Sequence, residues 1–314
     1  MNIIYKTSDI NESELLNILK LWNEEKGRVY PIPTKAFYQN VINYIDKDVM
    51  VAYDGDKLVG FIILKRFDDK KYVDYTDSLF ISLFLVSKQY RKNGIGTKLL
   101  EYANEIKKGR KLVIGKDIGN FFPGVPTDFD NITDVWLEKR GFVGKRYTHD
   151  LICYEPQVYP LINKDIDYMY CNDERKEQLI NFLQKNNWKR WAYEADDYFK
   201  NKTKCDEESY IIGLKNDIIV SFVKINTFKM NMTPYNVLFQ ERFNNLGGIG
   251  PLGVDNQLRK SGLGADMMSV AISKLKAKGI EDIMIDWTGL MEIYYKYGFE
   301  VWKSYKYMET LKKN

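Results

Sequence analysis

The chain has 314 residues, 45% of them hydrophobic and 29% charged, and a formal net charge of +4. This length favours two globular domains, because single cores stop growing at about 250 to 300 residues. The small net charge argues against a nucleic-acid partner, and the single histidine, His149, argues against histidine-based catalysis and zinc sites. We therefore expect neither a nucleic-acid partner nor a bound metal.

Targeting and membrane signals are equally sparse. The first residues, MNIIYKTSDI, lack the basic-then-apolar pattern of a secretion signal. No apolar run approaches the roughly 20 residues that a membrane-spanning helix needs. The three cysteines, Cys153, Cys171 and Cys205, form no C-x-x-C pair. We therefore expect a cytoplasmic protein without a membrane segment.

The first half of the chain predicts alternating strands and helices that lead to a glycine-rich loop. Asn11 stands where a helix needs an N-cap, and Asp54 and Gly55 form a turn between two apolar strands. A basic glycine loop, RKNGIG, then follows an apolar strand and opens a helix. In chain order we expect a strand at 2–9, a helix at 11–25, a strand pair at 49–67, a strand at 81–86, the loop at 91–96, a helix at 96–108, a strand at 111–117, a short helix and the pair Gly141-Phe142.

The second half repeats this order. Its loop, RKSGLG, follows the first at a distance of 168 residues, counted from Gly94 to Gly262. In chain order we expect a strand at 165–172, a helix at 173–186, a strand pair at 209–225, a strand at 247–254, the loop at 259–264, a helix at 264–279, a strand at 282–287, a short helix and the pair Gly298-Phe299.

A change in composition separates the two halves. Pro156 and Pro160 interrupt the segment CYEPQVYPLINKD, as is typical of a linker. The expected boundary gives an N-terminal domain at residues 1–157 and a C-terminal domain at residues 158–314, each with strands and helices in the same order.

A glycine loop between a strand and a helix is suited to binding an anion. The first backbone N–H groups of a helix are unpaired and lie at the positive end of its dipole. Gly262 and Gly264 let the backbone approach a phosphate group, and Arg259 and Lys260 add positive charge. The letters of a dinucleotide fingerprint occur at 248–253, but no helix follows them, so we expect these glycines instead to leave the strand bare where a ligand lies against it. The two loops therefore predict sites for a phosphate-bearing cofactor.

The loop R-x-x-G-x-G between an apolar strand and a helix, with an aromatic helix ending in Gly-Phe about 35 residues later, resembles the GNAT acyl-CoA N-acetyltransferases. It occurs in both halves, so the resemblance implies an α/β (α+β) fold of two tandem GNAT domains. Each would have a mixed, mostly antiparallel central sheet flanked by helices. The resemblance also implies acetyl-CoA as co-substrate, with its pyrophosphate on the loop, its pantetheine arm along the preceding strand, and a backbone N–H near Leu252 or Gly253 facing the oxyanion. The implied cofactor-binding residues are Leu252, Gly253, Val254, Arg259, Lys260, Ser261, Gly262, Leu263 and Gly264 in the second half and Arg91, Lys92, Asn93, Gly94, Ile95 and Gly96 in the first.

The same resemblance places a general acid on a tyrosine four residues before the glycine of Gly-Phe. That position is Tyr294 in the second half and Leu137 in the first. Leucine cannot donate a proton, so we expect a catalytic second half and a non-catalytic first half. Tyr295 and Tyr297 are the alternatives for the acid.

Asp286 is the expected general base. It ends an apolar strand, at the point where the resemblance implies that two central strands separate and admit the acetyl group. Capping of the next helix is the alternative role for Asp286. Asp255 is an alternative carboxylate, although its position at the start of the loop favours a role in the turn.

Aromatic residues suggest the class of acceptor. Phe121 and Phe122, with nearby carboxylates in NFFPGVPTDFD, suit a sugar ring that carries an amine, although they could instead fill an interface between the domains. Together with WTGLMEIYYKYGFEVW, this phrase resembles clostridial two-domain acetyltransferases of glucosamine and glucosaminides in cell-wall sugar recycling. The amine of an amino sugar is less basic than that of lysine, so Asp286 would suffice as its base.

Other functions remain open. The architecture also resembles that of mycothiol synthases, and aminoglycosides or peptide N-termini are other possible amine acceptors. A chain in which both halves had lost activity would be a CoA-binding protein. The sequence does not decide between a monomer and a homodimer, nor whether the first half binds acetyl-CoA.

Overall fold

The computed structural model describes residues 2–130 and 132–312 and divides them into two compact units. The first unit holds the described residues of Met1–Asp68, Asp74–Thr148 and Lys303–Asn314, and the second holds Asp69–Val73 and His149–Trp302. The predicted boundary at residue 157 concerns the sequence repeat and stays a prediction. Each unit takes its last strand from the other repeat: residues 149–153 belong to the second unit and residues 303–310 to the first.

The predicted helices and strands are present in the predicted order, and the structure adds elements at 34–37, 125–126, 142–153, 189–201 and 300–310 that the sequence did not indicate. The helices are α1 (Glu12–Lys26), α2 (Thr34–Phe37), α3 (Ile95–Ile106), α4 (Thr133–Glu138), α5 (Lys176–Lys185), α6 (Lys189–Asn201), α7 (Leu263–Ala277) and α8 (Glu292–Tyr295). The strands are β1 (Ile3–Lys6), β2 (Lys47–Asp54), β3 (Lys57–Lys65), β4 (Ser78–Val86), β5 (Lys111–Ile114), β6 (Val125–Pro126), β7 (Phe142–Cys153), β8 (Asp167–Tyr170), β9 (Tyr210–Lys215), β10 (Ile218–Thr227), β11 (Leu246–Val254), β12 (Asp282–Thr288) and β13 (Glu300–Thr310).

The sheet of the first unit has the order β1-β2-β3-β4-β5-β13, with β6 also pairing β13. Only β4 and β5 are parallel, and the other neighbours are antiparallel. Asn11 caps α1 through a capping box with Glu14, as its position in the sequence predicts. The hairpin of β2 and β3 turns at Gly55, whose φ of 59° lies in the left-handed region that glycine tolerates.

The second unit repeats this sheet in the order β7-β12-β11-β10-β9-β8. The pair β11 and β12 is parallel and the others are antiparallel. α7 packs its apolar face on this sheet through Met267, Ala271 and Leu275, all fully buried. The predicted fold class, mixed and mostly antiparallel sheets flanked by helices, is therefore confirmed in each unit.

Both glycine loops adopt the same backbone conformation. Lys92 and Lys260 each have a φ of 66°. Gly94 and Gly262 then cap α3 and α7 in the left-handed conformation, with φ of 79° and 88°. The repeat in sequence is therefore a repeat in backbone geometry.

Within the described parts of the chain, no helix is both long enough and apolar enough to cross a membrane.

Candidate functional site

The central strands of the second unit separate at the position of Asp286. β11 and β12 pair from Leu246 and Asp282 as far as Ile249 and Ile285, and the register ends there. A bulge occurs at the same point, since Gly250 and Pro251 of β11 together oppose one residue of β10. The separated strands form the opening that the sequence analysis expects beside Asp286.

The carboxylate of Asp286 lies in a polar cluster. Asn236 Nδ2 donates a hydrogen bond of 3.1 Å to Asp286 Oδ1. Burial and the nearby carboxylate of Asp150 raise the pKa of Asp286 to about 7, although the Asn236 hydrogen bond opposes this shift. A carboxyl group with a pKa near 7 exchanges protons at neutral pH, as a general base must.

Asp150 is a candidate site residue that the sequence did not indicate. It is fully buried on β7, where its Oδ2 accepts a 2.7 Å hydrogen bond from the Tyr235 hydroxyl and its Oδ1 a 3.1 Å bond from Trp287 N. The latter bond holds Trp287 at a φ of 48°, which is unusual for a bulky residue. Tyr235 and Asn236 are consecutive, so one short helical turn binds both carboxylates of the cluster.

Three tyrosines near α8 have different surroundings. Tyr294 is partly buried, and its hydroxyl interacts with Thr288. Burial raises the pKa of Tyr294, and the nearby carboxylate of Asp286 contributes to this increase. Tyr295 is 47% exposed. Tyr297 is fully buried, and its hydroxyl donates to the carbonyl of Ala265 in α7. Of the three, Tyr294 is the one beside the proposed base.

The glycine loop of the second unit leaves its basic residues available. Arg259 and Lys260 are exposed, and neither forms a hydrogen bond or ion pair with any residue that the structure describes. Gly264, in the first turn of α7, is open, since a Cβ there would meet only Val254, at 3.8 Å. The positive end of the α7 dipole and two cations without partners among the described residues fit a phosphate group.

The remaining sequence candidates of the second unit have structural contacts. Asp255 caps a short turn by accepting a hydrogen bond from Gln257 N, which supports its role in the turn. The ring of Trp188 covers Gly253, since a Cβ there would lie 2.6 Å from it. Asn236 covers Gly248 in the same way, at 2.2 Å. These glycines of β11 therefore make room for side chains, and the expectation that they leave the strand bare for a ligand is wrong at both positions.

The first unit has different residues at the corresponding site. In the first unit the last parallel pair is Ile81 with Ile114, which corresponds to Ile249 with Ile285 in the second. The residue that follows this pair is Gly115 in the first unit and Asp286 in the second. Leu137, at the position of Tyr294, is buried in the core. A cleft does open between the strands, lined by side chains that include Ile81, Ser82, Phe84, Ile114 and Leu137.

A buried ion pair lies beside this cleft. Lys65 Nζ and Asp117 Oδ2 are 2.9 Å apart with both side chains essentially inaccessible, and the Ser82 hydroxyl donates to the same oxygen at 2.8 Å. In the loop of this unit, Arg91 is paired with Asp130 at 3.1 Å. Lys65, Asp117 and Ser82 at the strand opening, and Arg91 in the loop, therefore already have partners within the first unit.

The phenylalanines expected to bind a sugar lie in the core of the first unit. Phe121 is fully buried and stacks on Phe37, and Phe122 is 5% exposed and stacks on Trp22. The expectation that these rings form an open platform for a sugar is therefore wrong.

Within the described ranges, no group of three or more His, Cys, Asp or Glu side chains is arranged to hold a metal ion.

Comparison with known proteins agrees with this geometry. Residues 46–143 match the family model for the acetyltransferase (GNAT) domain. A search of curated protein sequences finds no significant match. One similar solved structure is the GCN5-related glucosamine N-acetyltransferase region of a fungal multi-domain GH3 beta-N-acetylglucosaminidase. It aligns with 98% of this chain at a TM-score of 0.84 and 20% identity. The alignment covers 38% of the fungal chain.

Two further structures have the same architecture over their whole length. A tandem GNAT protein from the clavulanic acid biosynthesis pathway has a TM-score of 0.70 and 12% identity, covering 100% of this chain and 99% of its own. A GCN5-related N-acetyltransferase from Sphaerobacter thermophilus has the same TM-score and identity, covering 99% of this chain and 98% of its own. Residues 46–143 therefore match a GNAT acetyltransferase domain, the chain has the fold of tandem GNAT proteins, and both findings support the predicted enzyme class, a GNAT-type N-acyltransferase.

Proposed function

We propose that the second unit transfers the acetyl group of acetyl-CoA to the primary amine of an amino sugar, glucosamine or a glucosaminide. The observation that carries the proposal is the proximity of Asp286 and Tyr294 at the point where β11 and β12 separate. A base and an acid beside one opening are what amide formation from a thioester needs.

Proton transfer follows from the surroundings of the two side chains. With its pKa raised to about 7, Asp286 is deprotonated in a large fraction of molecules at neutral pH and can accept the proton of the acceptor's ammonium group. Burial raises the pKa of Tyr294, so its hydroxyl stays protonated and can donate to the leaving sulfur. The two groups thus hold opposite protonation states at the same pH.

Residues of the second loop fit the phosphate-bearing co-substrate. Arg259, Lys260 and the first N–H groups of α7 would hold the pyrophosphate of acetyl-CoA, and the unpaired edge of β11 from Leu252 to Val254 would hold its pantetheine arm. When bound, acetyl-CoA supplies the activated acetyl thioester. We infer that the first unit, with Gly115 and Leu137 at the two catalytic positions, does not catalyse this reaction.

The amino-sugar acceptor is supported by two observations. The fungal region whose fold matches 98% of this chain is described as a glucosamine N-acetyltransferase. A carboxylate with a pKa near 7 suits the weakly basic amine of an amino sugar better than the strongly basic amine of lysine.

Thiol release from acetyl-CoA by the purified protein tests this function. The acceptors would be glucosamine, an oligomeric glucosaminide, an aminoglycoside and a peptide with a free N-terminus, each with its N-acetylated form as the control. We expect release with glucosamine or the glucosaminide and none with the N-acetylated controls. Release only with the aminoglycoside or the peptide would keep the enzyme and exclude the amino sugar, and binding of acetyl-CoA without release would support a non-catalytic CoA-binding protein.

A further inference from the structure

Lys224 occupies an unusual position beside the site of the second unit. It is the β10 residue that faces the bulge of β11, because β10 pairs Val223 with Leu252 and Ile225 with Ile249. Bulges next to active sites commonly redirect a side chain. On its other side Lys224 pairs with Tyr210 of β9. Lys224 is therefore placed at the level where the central strands separate.

The ammonium group of Lys224 has aromatic neighbours but no polar partner. Its Nζ lies 5.3 Å and 5.5 Å from the ring centroids of Tyr210 and Tyr198. No acceptor among the described residues lies within hydrogen-bonding distance of it. Burial lowers the pKa of Lys224, while carboxylates that include Glu194, Asp197 and Asp286 oppose the shift. Lys224 is only partly exposed, so an ammonium group without a polar partner there favours a partner from outside the chain.

A second polar group without a partner lies in the same neighbourhood. The hydroxyl of Tyr210 is buried and has no hydrogen-bond partner. Glu194 and Asp197, the two α6 carboxylates that act on Lys224, also act on this hydroxyl. The buried hydroxyl shows that this neighbourhood is poor in protein partners, whereas the ammonium of Lys224 and the two carboxylates offer a donor and acceptors to a ligand that both donates and accepts hydrogen bonds, as hydroxyl groups do.

α6 connects this cluster to the proposed base. Arg190 of α6 donates a 2.8 Å hydrogen bond to Glu194, and its guanidinium lies 4.8 Å from the ring centroid of Trp287. Trp287 directly follows Asp286 in β12. Lys224, the α6 carboxylates and the proposed base therefore lie in one neighbourhood.

We propose that Lys224, with Glu194 and Asp197, forms a subsite that hydrogen bonds the hydroxyl groups of the acceptor and selects a polyhydroxy amine without a phosphate or carboxylate group. The carboxylates of Glu194, Asp197 and Asp286 outnumber the cations of Lys224 and Arg190, so an anionic acceptor is disfavoured. This inference rests on the proposed function and specifies the acceptor of the same site.

The variant K224M tests the subsite, because methionine keeps most of the aliphatic stem and removes the donor. The acceptors are glucosamine, cyclohexylamine, which is an amine of similar ring size without hydroxyl groups, and glucosamine 6-phosphate. We expect K224M to raise the KM of glucosamine about tenfold, the usual effect of losing a hydrogen bond to a charged group, and to leave the KM of cyclohexylamine and of acetyl-CoA unchanged. The wild-type protein should use glucosamine 6-phosphate poorly. K215M, which removes an exposed lysine on β9, is the matched control and should resemble the wild type.

Calorimetric binding of glucosamine to the wild type and to K224M separates this inference from the proposed function. A wild type that releases no thiol with any amine, yet binds glucosamine more tightly than K224M does, would refute the function and keep the subsite. The subsite is refuted if wild type and K224M bind glucosamine equally, if neither binds it, or if K224M weakens glucosamine and cyclohexylamine by the same factor. Efficient use of glucosamine 6-phosphate would overturn the exclusion of anionic acceptors.

Discussion

Replacing Asp286 by asparagine is expected to lower kcat for acetyl transfer by about 10²-fold or more, the usual contribution of a positioned general base. Asparagine preserves the shape of the side chain but cannot take the ammonium proton. Because the acid of Asp286 has a pKa of about 7 and the active form is the carboxylate, kcat of the wild type should be high above pH 7 and fall as the pH drops through it. This decline at acidic pH should disappear in D286N.

The control for D286N is D282N, the same substitution at the other end of β12. D282N should keep the wild-type kcat and pH profile. D286N should not unfold more easily at pH 8, because it removes a charge that is buried beside Asp150. A D286N protein with wild-type kcat and an unchanged pH profile would show that another group is the base.

Replacing Tyr294 by phenylalanine is expected to lower kcat by about 10²-fold while leaving the affinity for acetyl-CoA unchanged. The ring contact with Phe299, at 6.3 Å between centroids, is kept, and only the proton donor is lost. The decrease in kcat of Y294F should be smaller when the acetyl donor is a thioester of an acidic aromatic thiol, because the thiolate of such a thiol can leave without being protonated. A merely structural role for Tyr294 would give the same loss with both thioesters.

Y295F is the matched control for Y294F. Tyr295 is the next residue of α8 and is 47% exposed, so its hydroxyl is not confined beside the base. Y295F should therefore have wild-type kcat with both thioesters. If Y295F lost activity and Y294F did not, the acid would lie one residue further along the helix.

The sequence predicted those parts of the fold that depend on local pattern. The two glycine loops were found from their letters because a left-handed cap at Gly94 and at Gly262 requires glycine, and the helices that follow have clear apolar faces. Asp286 is a candidate because a charge at the end of an apolar strand departs from the pattern of a buried strand, and the structure places it where the central strands separate. Local pattern was sufficient in each case.

Residues brought to the site by distant segments could not be predicted in this way. Asp150 lies in the last strand of the first repeat, and nothing in its neighbouring sequence indicates that this strand completes the sheet of the second unit. Lys224 stands in an otherwise ordinary apolar strand, and its lack of a partner is a property of the packing alone. Gly248 looked like a ligand contact but accommodates Asn236, because a single sequence cannot show what packs on a glycine.

Matched charge substitutions in the two glycine loops determine whether the second unit, and not the first, performs the transfer. Gly264 and Gly96 each lie in the first turn of a helix, and a Cβ at either makes no contact shorter than 3.5 Å. Glutamate at a helix start is compatible with the fold but repels a phosphate group.

The measurement is the KM of acetyl-CoA in thiol release with glucosamine for G264E and G96E. We expect the KM of acetyl-CoA to rise about tenfold or more in G264E, through loss of charged hydrogen bonds to the phosphates, and to stay at the wild-type value in G96E. The reverse result, with activity lost in G96E and kept in G264E, would contradict this expectation.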